Sequence, residues 1–205
     1  MGTTLKITNE AELREIYGLP GEKARKKELA ALEKHCEYFI TKSPFFVLAT
    51  SNSVGALDAS PRGGEPGFVK ILDSNTLLFP DAKGNRRLDS LVNILEQPAV
   101  GLLFLIPGVD ESLRVNGKAT IHTNKALLAE FDHLKNKPQT VIRVSITQVF
   151  LHCAKALMRS HLWRAHDLVN RQGVPTMAMM LRDQIGGQGE PESQEEMVKR
   201  YLDDL

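Results

Sequence analysis

Cysteine occurs only twice, at Cys36 and Cys153, and neither lies in a CxxC pair or at the Cys/His spacing of a common zinc site. A disulfide scaffold and a metal centre of that kind are excluded. No excess of one charge exists either: Lys+Arg 26 against Asp+Glu 25 leaves a formal net charge of +1. A chain that wraps a polyanion shows a basic excess or stripe, so nothing here demands nucleic acid. No stretch reaches the roughly 18 apolar residues of a membrane span. The polar start, Met1 to Glu10, lacks the apolar run of a secretory signal. Internal repeats and low-complexity segments are absent. What remains is 205 residues, 42% hydrophobic and 25% charged, a balance typical of a globular domain with short appendages. A soluble, reduced, cytoplasmic protein is expected.

The first forty residues read as helix. Thr8-Asn9 offers a cap before Ala11, Leu13, Ile16 and Tyr17, and Gly18-Leu19-Pro20 breaks the pattern. A second helix follows, with Leu29, Leu32, Cys36, Phe39 and Ile40 at three- and four-residue spacing, ending at Ser43-Pro44. Cys36 is then a small core residue.

From Phe45 the texture becomes strand-like. Candidate strands are Phe45 to Thr50, Gly67 to Leu72, Thr76 to Phe79, Val100 to Ile106, Leu113 to His122 and Val141 to His152, with Asp73-Ser74-Asn75 as a tight turn. Two helices interrupt them. One spans Arg86 to Glu96 with Leu88, Leu91, Val92 and Leu95 inward; the other covers Lys125 to Lys135 after Thr123-Asn124, with Leu127, Leu128, Phe131 and Leu134 inward. Strands joined by short links do not alternate regularly with helices, so an antiparallel barrel or sandwich is predicted over a doubly wound sheet. Beyond Ala156 the chain is helix-prone. Met177 to Leu181 is expected to be packed, and Gly186 to Pro191 to link to a short acidic terminal helix.

Three segments could carry chemistry. Lys83-Gly84-Asn85-Arg86-Arg87 follows a strand and opens the predicted helix. Unpaired helix N-terminal amides, the helix dipole and two guanidinium forks would converge on an anion there. The alternative is a solvated basic turn, and the residues alone leave both open. Pro61-Arg62-Gly63-Gly64 reads as a loop between strands, with Arg62 as a further fork. Leu113 to Ala119 alternates, so that Arg114, Asn116 and Lys118 share one face.

The order of these segments carries a resemblance. Ser60-Pro61-Arg62-Gly63, Gly67-Phe68-Val69, Leu78-Phe79-Pro80-Asp81, Gly84-Asn85-Arg86-Arg87-Leu88-Asp89-Ser90-Leu91, Asn93-Ile94-Leu95, Gly101 to Gly108 and Leu113-Arg114-Val115-Asn116-Gly117 span about Phe45 to His122. The chain resembles the pyridoxamine 5′-phosphate oxidase-like superfamily of FMN-binding split-barrel flavoproteins, and more narrowly a bacterial branch of unknown substrate. The resemblance implies a mainly β protein with flanking helices, a six-stranded antiparallel split β-barrel of Greek-key type. It implies a homodimer holding one FMN in each of two interface clefts. The corresponding organisation is N-terminal helices packing on the barrel over 1–43, the FMN-binding split barrel over 44–155 and a C-terminal helical extension over 156–205.

Carried over by this resemblance, Arg86 and Arg87 take the place of the phosphate-binding pair, with Asn85 beside them. Phe68, Val69 and Lys70 take the place of the strand whose backbone runs along the flavin ring. Pro80 and Asp81 lie where the next strand ends near the ribityl chain, and Arg62 is a further phosphate or pyrimidine contact. Arg114 and Asn116 correspond to residues reaching the flavin from the partner subunit. The tail departs from the vitamin B6 oxidase pattern, which leaves the substrate open. In its place Lys155, Arg159, His161 and Trp163 could select an anionic substrate, or Trp163 could merely anchor a surface helix. His152 and Cys153 read as a satisfied histidine and a buried thiol ending a strand. The resemblance thus implies an FMN-dependent oxidoreductase that moves a hydride or electrons between flavin and a small molecule, with NAD(P)H as a possible donor. The alternatives are a non-catalytic flavin- or haem-binding protein and a deazaflavin-dependent reductase. No residue is assigned as catalytic.

Overall fold

The computed structural model describes residues 6–202, so 1–5 of the polar start and 203–205 of the acidic end lie outside it. Helix α1 (Glu10–Tyr17) is capped by Asn9, whose side chain accepts from the Glu12 amide at 3.1 Å, and stops at Gly18. It buries no side chain. The second helix expected through Leu29 to Ile40 is broken. Helix α2 (Glu22–Lys26) gives way to a two-residue strand β1 (Glu28–Leu29) before α3 (Lys34–Lys42) begins. Two interactions, one long-range and one local, account for the break. Leu29 pairs with Val149 in the sheet, and the Glu33 carboxylate caps α3 by accepting from the Cys36 amide at 2.9 Å. Leu32, Cys36, Phe39 and Ile40 are buried all the same.

Strands β2 (Phe45–Ser51), β3 (Leu57–Gly63), β4 (Lys70–Asp73) and β5 (Thr76–Asp81) precede helix α4 (Asp89–Glu96); β6 (Ala99–Leu105), β7 (Ser112–His122), helix α5 (Lys125–Ala129) and β8 (Thr140–His152) follow. Among the described residues the sheet runs β3-β2-β6-β7-β8-β5-β4, with β1 on β8, and every pairing is antiparallel. The sheet is open, with β3 and β4 at its ends, as a split barrel requires. It has eight strands where six were expected. One addition is β1. The other is β3, which occupies the predicted Pro-Arg-Gly-Gly loop with Pro61 opposite Val47. A proline is tolerated there because β3 is an edge strand, with one side of its backbone outside any ladder.

Period-two alternation builds the core. Phe46, Leu48 and Thr50 of β2, Val100, Leu102 and Phe104 of β6, and Leu113, Val115 and Ala119 of β7 face inward and are buried. The Phe46 ring stacks on Phe68 at 5.7 Å between centroids and meets the Phe79 and Phe104 rings at 5.1 Å. Each buried ring stabilises by about 1.5–3 kcal/mol. Phe68 reaches this position only because residue 64 is glycine: a β-carbon on Gly64 would lie 2.8 Å from Phe68 Cγ.

Three helical expectations are corrected. Helix α4 starts at Asp89, not Arg86, because Arg86 and Leu88 both have left-handed backbone, at φ +64° and +60°. Its buried face is Ser90, Asn93 and Ile94, while Leu88, Val92 and Leu95 are exposed. A polar network turns that face inward: Asn93 Nδ2 donates to Thr50 Oγ1 at 3.0 Å and to Asp58 Oδ2 at 2.7 Å, and the Ser60 and Ser90 hydroxyls are 3.0 Å apart. Such groups are buried only with partners. Helix α5 ends at Ala129 rather than Lys135, although Leu127, Leu128, Phe131 and Leu134 do pack on Leu78 and Val141. Beyond α6 (Lys155–Ser160), helices α7 (Met177–Ile185) and α8 (Gln194–Leu202) bury no side chain, so Met177 to Leu181 is not packed as expected.

Candidate functional site

Two clefts gather most of the predicted residues. The first, about 260 Å³, lies where β3, β5 and the N-terminus of α4 approach one another. Ser60 and Arg62 enter it from β3, Asp81 from the end of β5, and Asn85, Arg86 and Arg87 from the connecting loop. Asn85 shapes that loop by accepting from the Arg87 amide at 3.0 Å, a local turn of the kind Asn favours. The Arg87 guanidinium is tied to Asp89 at 2.9 Å. Arg86 has no ion pair or side-chain hydrogen bond among the described residues. Leu88 caps α4 without a side-chain bond, so its first amides remain available as donors.

Arg62 differs from the expectation of a free cation. Its Nη1 meets Asp81 Oδ1 at 2.5 Å, with both side chains largely sheltered. The Arg62 Nε is buried and has no partner. The pair therefore cancels its charge locally while leaving one buried donor unmatched. Phe68 and Val69 precede β4 rather than lying in a strand and turn their side chains into the core, Lys70 and Pro80 are half-buried, and none of the four lines this cleft.

The second cleft is a groove of about 710 Å³ on the outer face of β2, β6 and β7, walled by α6. Alternation produces it: the residues between the core positions, Val47, Ala49, Gly101 and Leu103, form its floor, with Arg114 and Asn116 beside them. Lys155 and Arg159 line it from α6, and His152 and Cys153 from the end of β8. Sequence reading missed Gln148, whose Oε1 accepts from Asn116 Nδ2 at 2.6 Å and from Arg114 Nη2 at 3.2 Å. The Arg114 Nε is buried without a partner. Arg114 and Lys27 flank the Phe150 ring at 4.9 and 4.1 Å. Partial burial, with the Arg114 and Lys27 charges, holds the His152 imidazole below its ordinary range.

Other assignments change. Cys153 is exposed, not buried, because β8 ends at His152 and the chain turns there into α6. His161 and Trp163 stay out of the groove: His161 Nδ1 lies 3.0 Å from Asp167, and Trp163 Nε1 donates to the Val109 carbonyl at 2.9 Å. Trp163 thus anchors the segment after α6. The groove itself had a sequence signal. Nearly unbroken apolar runs in β2 and β6, where one covered face would show alternation, mark strands with apolar residues on both faces.

Among the described residues, no group of three or more His, Cys, Asp or Glu could hold a metal, and no helix is long and apolar enough to cross a membrane. No curated protein matches the chain. A single-site variant of the HupZ protein of Group A Streptococcus has a similar fold, 15% identical with a TM-score of 0.50, over 58% of this chain and 98% of that one. An FMN-binding protein from Syntrophomonas wolfei is 12% identical over 70% of this chain and 94% of its own, with a TM-score of 0.48. The FAD binding protein from Mycobacterium smegmatis is 20% identical over 60% and 97%, with a TM-score of 0.43. The family described as pyridoxamine 5′-phosphate oxidase matches residues 32–153, from Leu32 before α3 to Cys153 after β8. That stretch contains the first cleft and the floor of the second, though not its α6 wall, and more than half of the sequence, and the chain belongs to this family.

Proposed function

We propose that the chain is an FMN-dependent oxidoreductase that works as a homodimer in the cytoplasm. The observation that carries this reading is the first cleft, where an unpaired Arg86, the uncapped N-terminus of α4 and the Arg62–Asp81 pair line one volume. Those groups fit a phosphate monoester attached to a polar chain. Arg86 and Arg87 would hold the phosphate, with Arg62 and Asp81 hydrogen-bonding the ribityl and pyrimidine end. Arg114 and Asn116 of a second subunit would complete the cleft. Bound FMN would supply the hydride chemistry, and the chain would supply position and electrostatics.

Support for the dimer comes from an exposed apolar surface beside the cleft, comprising Leu88, Val92 and Leu95 of α4 with Val54 and Leu57 of the β2–β3 hairpin. Patches of this kind mark interaction surfaces. Family membership supports the flavin, and the Syntrophomonas and Mycobacterium proteins are named for FMN and FAD respectively.

The test is flavin uptake by the purified chain. FMN should bind with a yellow spectrum, be identified by mass after extraction, and be bleached by NAD(P)H under nitrogen. A colourless protein that fails to bind added FMN would overturn the reading.

A further inference from the structure

The flavin reading accounts for Arg114 and Asn116 of the outer groove but not for the rest of its composition. Its floor is apolar, yet Arg114, Lys155 and Arg159 line it and no carboxylate does. None of the three is ion-paired among the described residues. Elsewhere the chain pairs its sheltered cations: Arg62 meets Asp81. Arg114 is half-buried, and Lys155 and Arg159 are exposed along the wall, so an anion seated on the apolar floor would meet three positive charges and no opposing carboxylate. Arg114 carries the clearest sign, a buried Nε with no acceptor although Gln148 takes its Nη2. The volume, about 710 Å³, falls within the range of small-molecule sites.

We propose that this groove binds the second reactant of the enzyme, and that this reactant is an apolar molecule ending in an anionic group, held by Arg114, Lys155 and Arg159. Calling it a reactant rests on the oxidoreductase reading above; the selection for an anion does not. Division of labour follows from the two clefts. The first presents polar groups suited to the phosphate end of a cofactor, and the second presents an apolar bed with cations along it. An amine-bearing molecule of the same size would meet three like charges in the groove and be excluded by repulsion. Arg159 and Lys155 set this preference without a role in holding flavin phosphate.

The experiment measures calorimetric binding of three probes of one shape and different charge, 2-naphthoate, 2-naphthylmethanol and 2-naphthylmethylamine, to the FMN-loaded full chain. The carboxylate should bind at least tenfold more tightly than the alcohol, and the amine most weakly. Lys155→Gln and Arg159→Gln should each weaken 2-naphthoate by about three- to tenfold and leave the alcohol unchanged. Saturating 2-naphthoate should also protect Cys153, which lines the groove, from iodoacetamide. Equal affinities for the three probes, equal losses for acid and alcohol, or an unprotected Cys153 would overturn the proposal. So would displacement of 2-naphthoate by FMN, which would make the groove the flavin's own seat. The same series run without flavin separates the two readings: failure to load FMN sinks the oxidoreductase assignment, whereas loss of charge discrimination sinks the anion groove.

Discussion

Arg62 of β3 and Asp81 of β5 meet at 2.5 Å, although their strands stand at opposite parts of the sheet order and share no backbone pairing. The bridge spans the opening of the split sheet and forms part of the wall of the first cleft. It therefore joins the fold to the site. Losing one partner leaves a sheltered charge or donor without compensation.

Asp81→Asn should accordingly lower unfolding stability by about 1–3 kcal/mol. Urea denaturation would measure this, and a cycle with Arg62→Gln should show coupling between the sites. Additive effects of the two substitutions would show that the pair carries no energy.

Arg86 offers a separation of backbone from side chain. Its φ of +64° disfavours any residue with a β-carbon, so Arg86→Gly removes the guanidinium and relieves the conformation together. Stability should hold or rise by up to about 1 kcal/mol. FMN affinity should fall about ten- to a hundredfold, and riboflavin, which lacks the phosphate, should bind as before. Equal losses for both ligands would make the loop an ordinary basic turn.

Leu95 is 77% exposed on α4, on the face opposite Asn93. Light scattering should report twice the 22.8 kDa chain mass, and Leu95→Glu should shift the protein toward monomer while its circular dichroism is preserved. A wild-type chain that stays monomeric with FMN would remove the shared cleft.

His152 gives a pH dependence with a definite sign. Its folded-state pKa lies below the ordinary value of 6.5, from burial and then the Arg114 and Lys27 charges. The unfolded chain thus binds the proton more readily, and stability is greatest above about pH 6.5 and declines as pH falls through it. The decline should be smaller in His152→Gln, and the ring's NMR titration midpoint should lie below 6.5. A midpoint above 6.5 would mean that a counter-charge reaches the ring.

Much was legible without coordinates. The strands that became β2 and β4 to β8, the Asn9 cap, and the outward alignment of Arg114 and Asn116 all follow from periodicity and turn chemistry, which act within a few residues. Arg86 and Arg87 were recognisable as a basic pair, but their left-handed and ion-paired surroundings were not. Strand β3 was hidden because Pro61 and its glycines read as a loop; only an edge position beside β2 makes that composition acceptable.

The sequence by itself determined which residues are apolar at which spacing, and hence the antiparallel class of the fold and the two cysteines' lack of a disulfide. Tertiary structure alone decided which face of α4 is buried. A hydrophobic count favoured Leu88, Leu91, Val92 and Leu95, but Thr50 and Asp58, more than thirty residues away along the chain, supply hydrogen-bond partners that draw Asn93 inward. It also decided that Arg62 is neutralised while Arg86 is left free, and that Arg114, Lys155 and Arg159 line one groove. Charges and hydrogen bonds between distant segments depend on through-space distance, which local spacing does not encode.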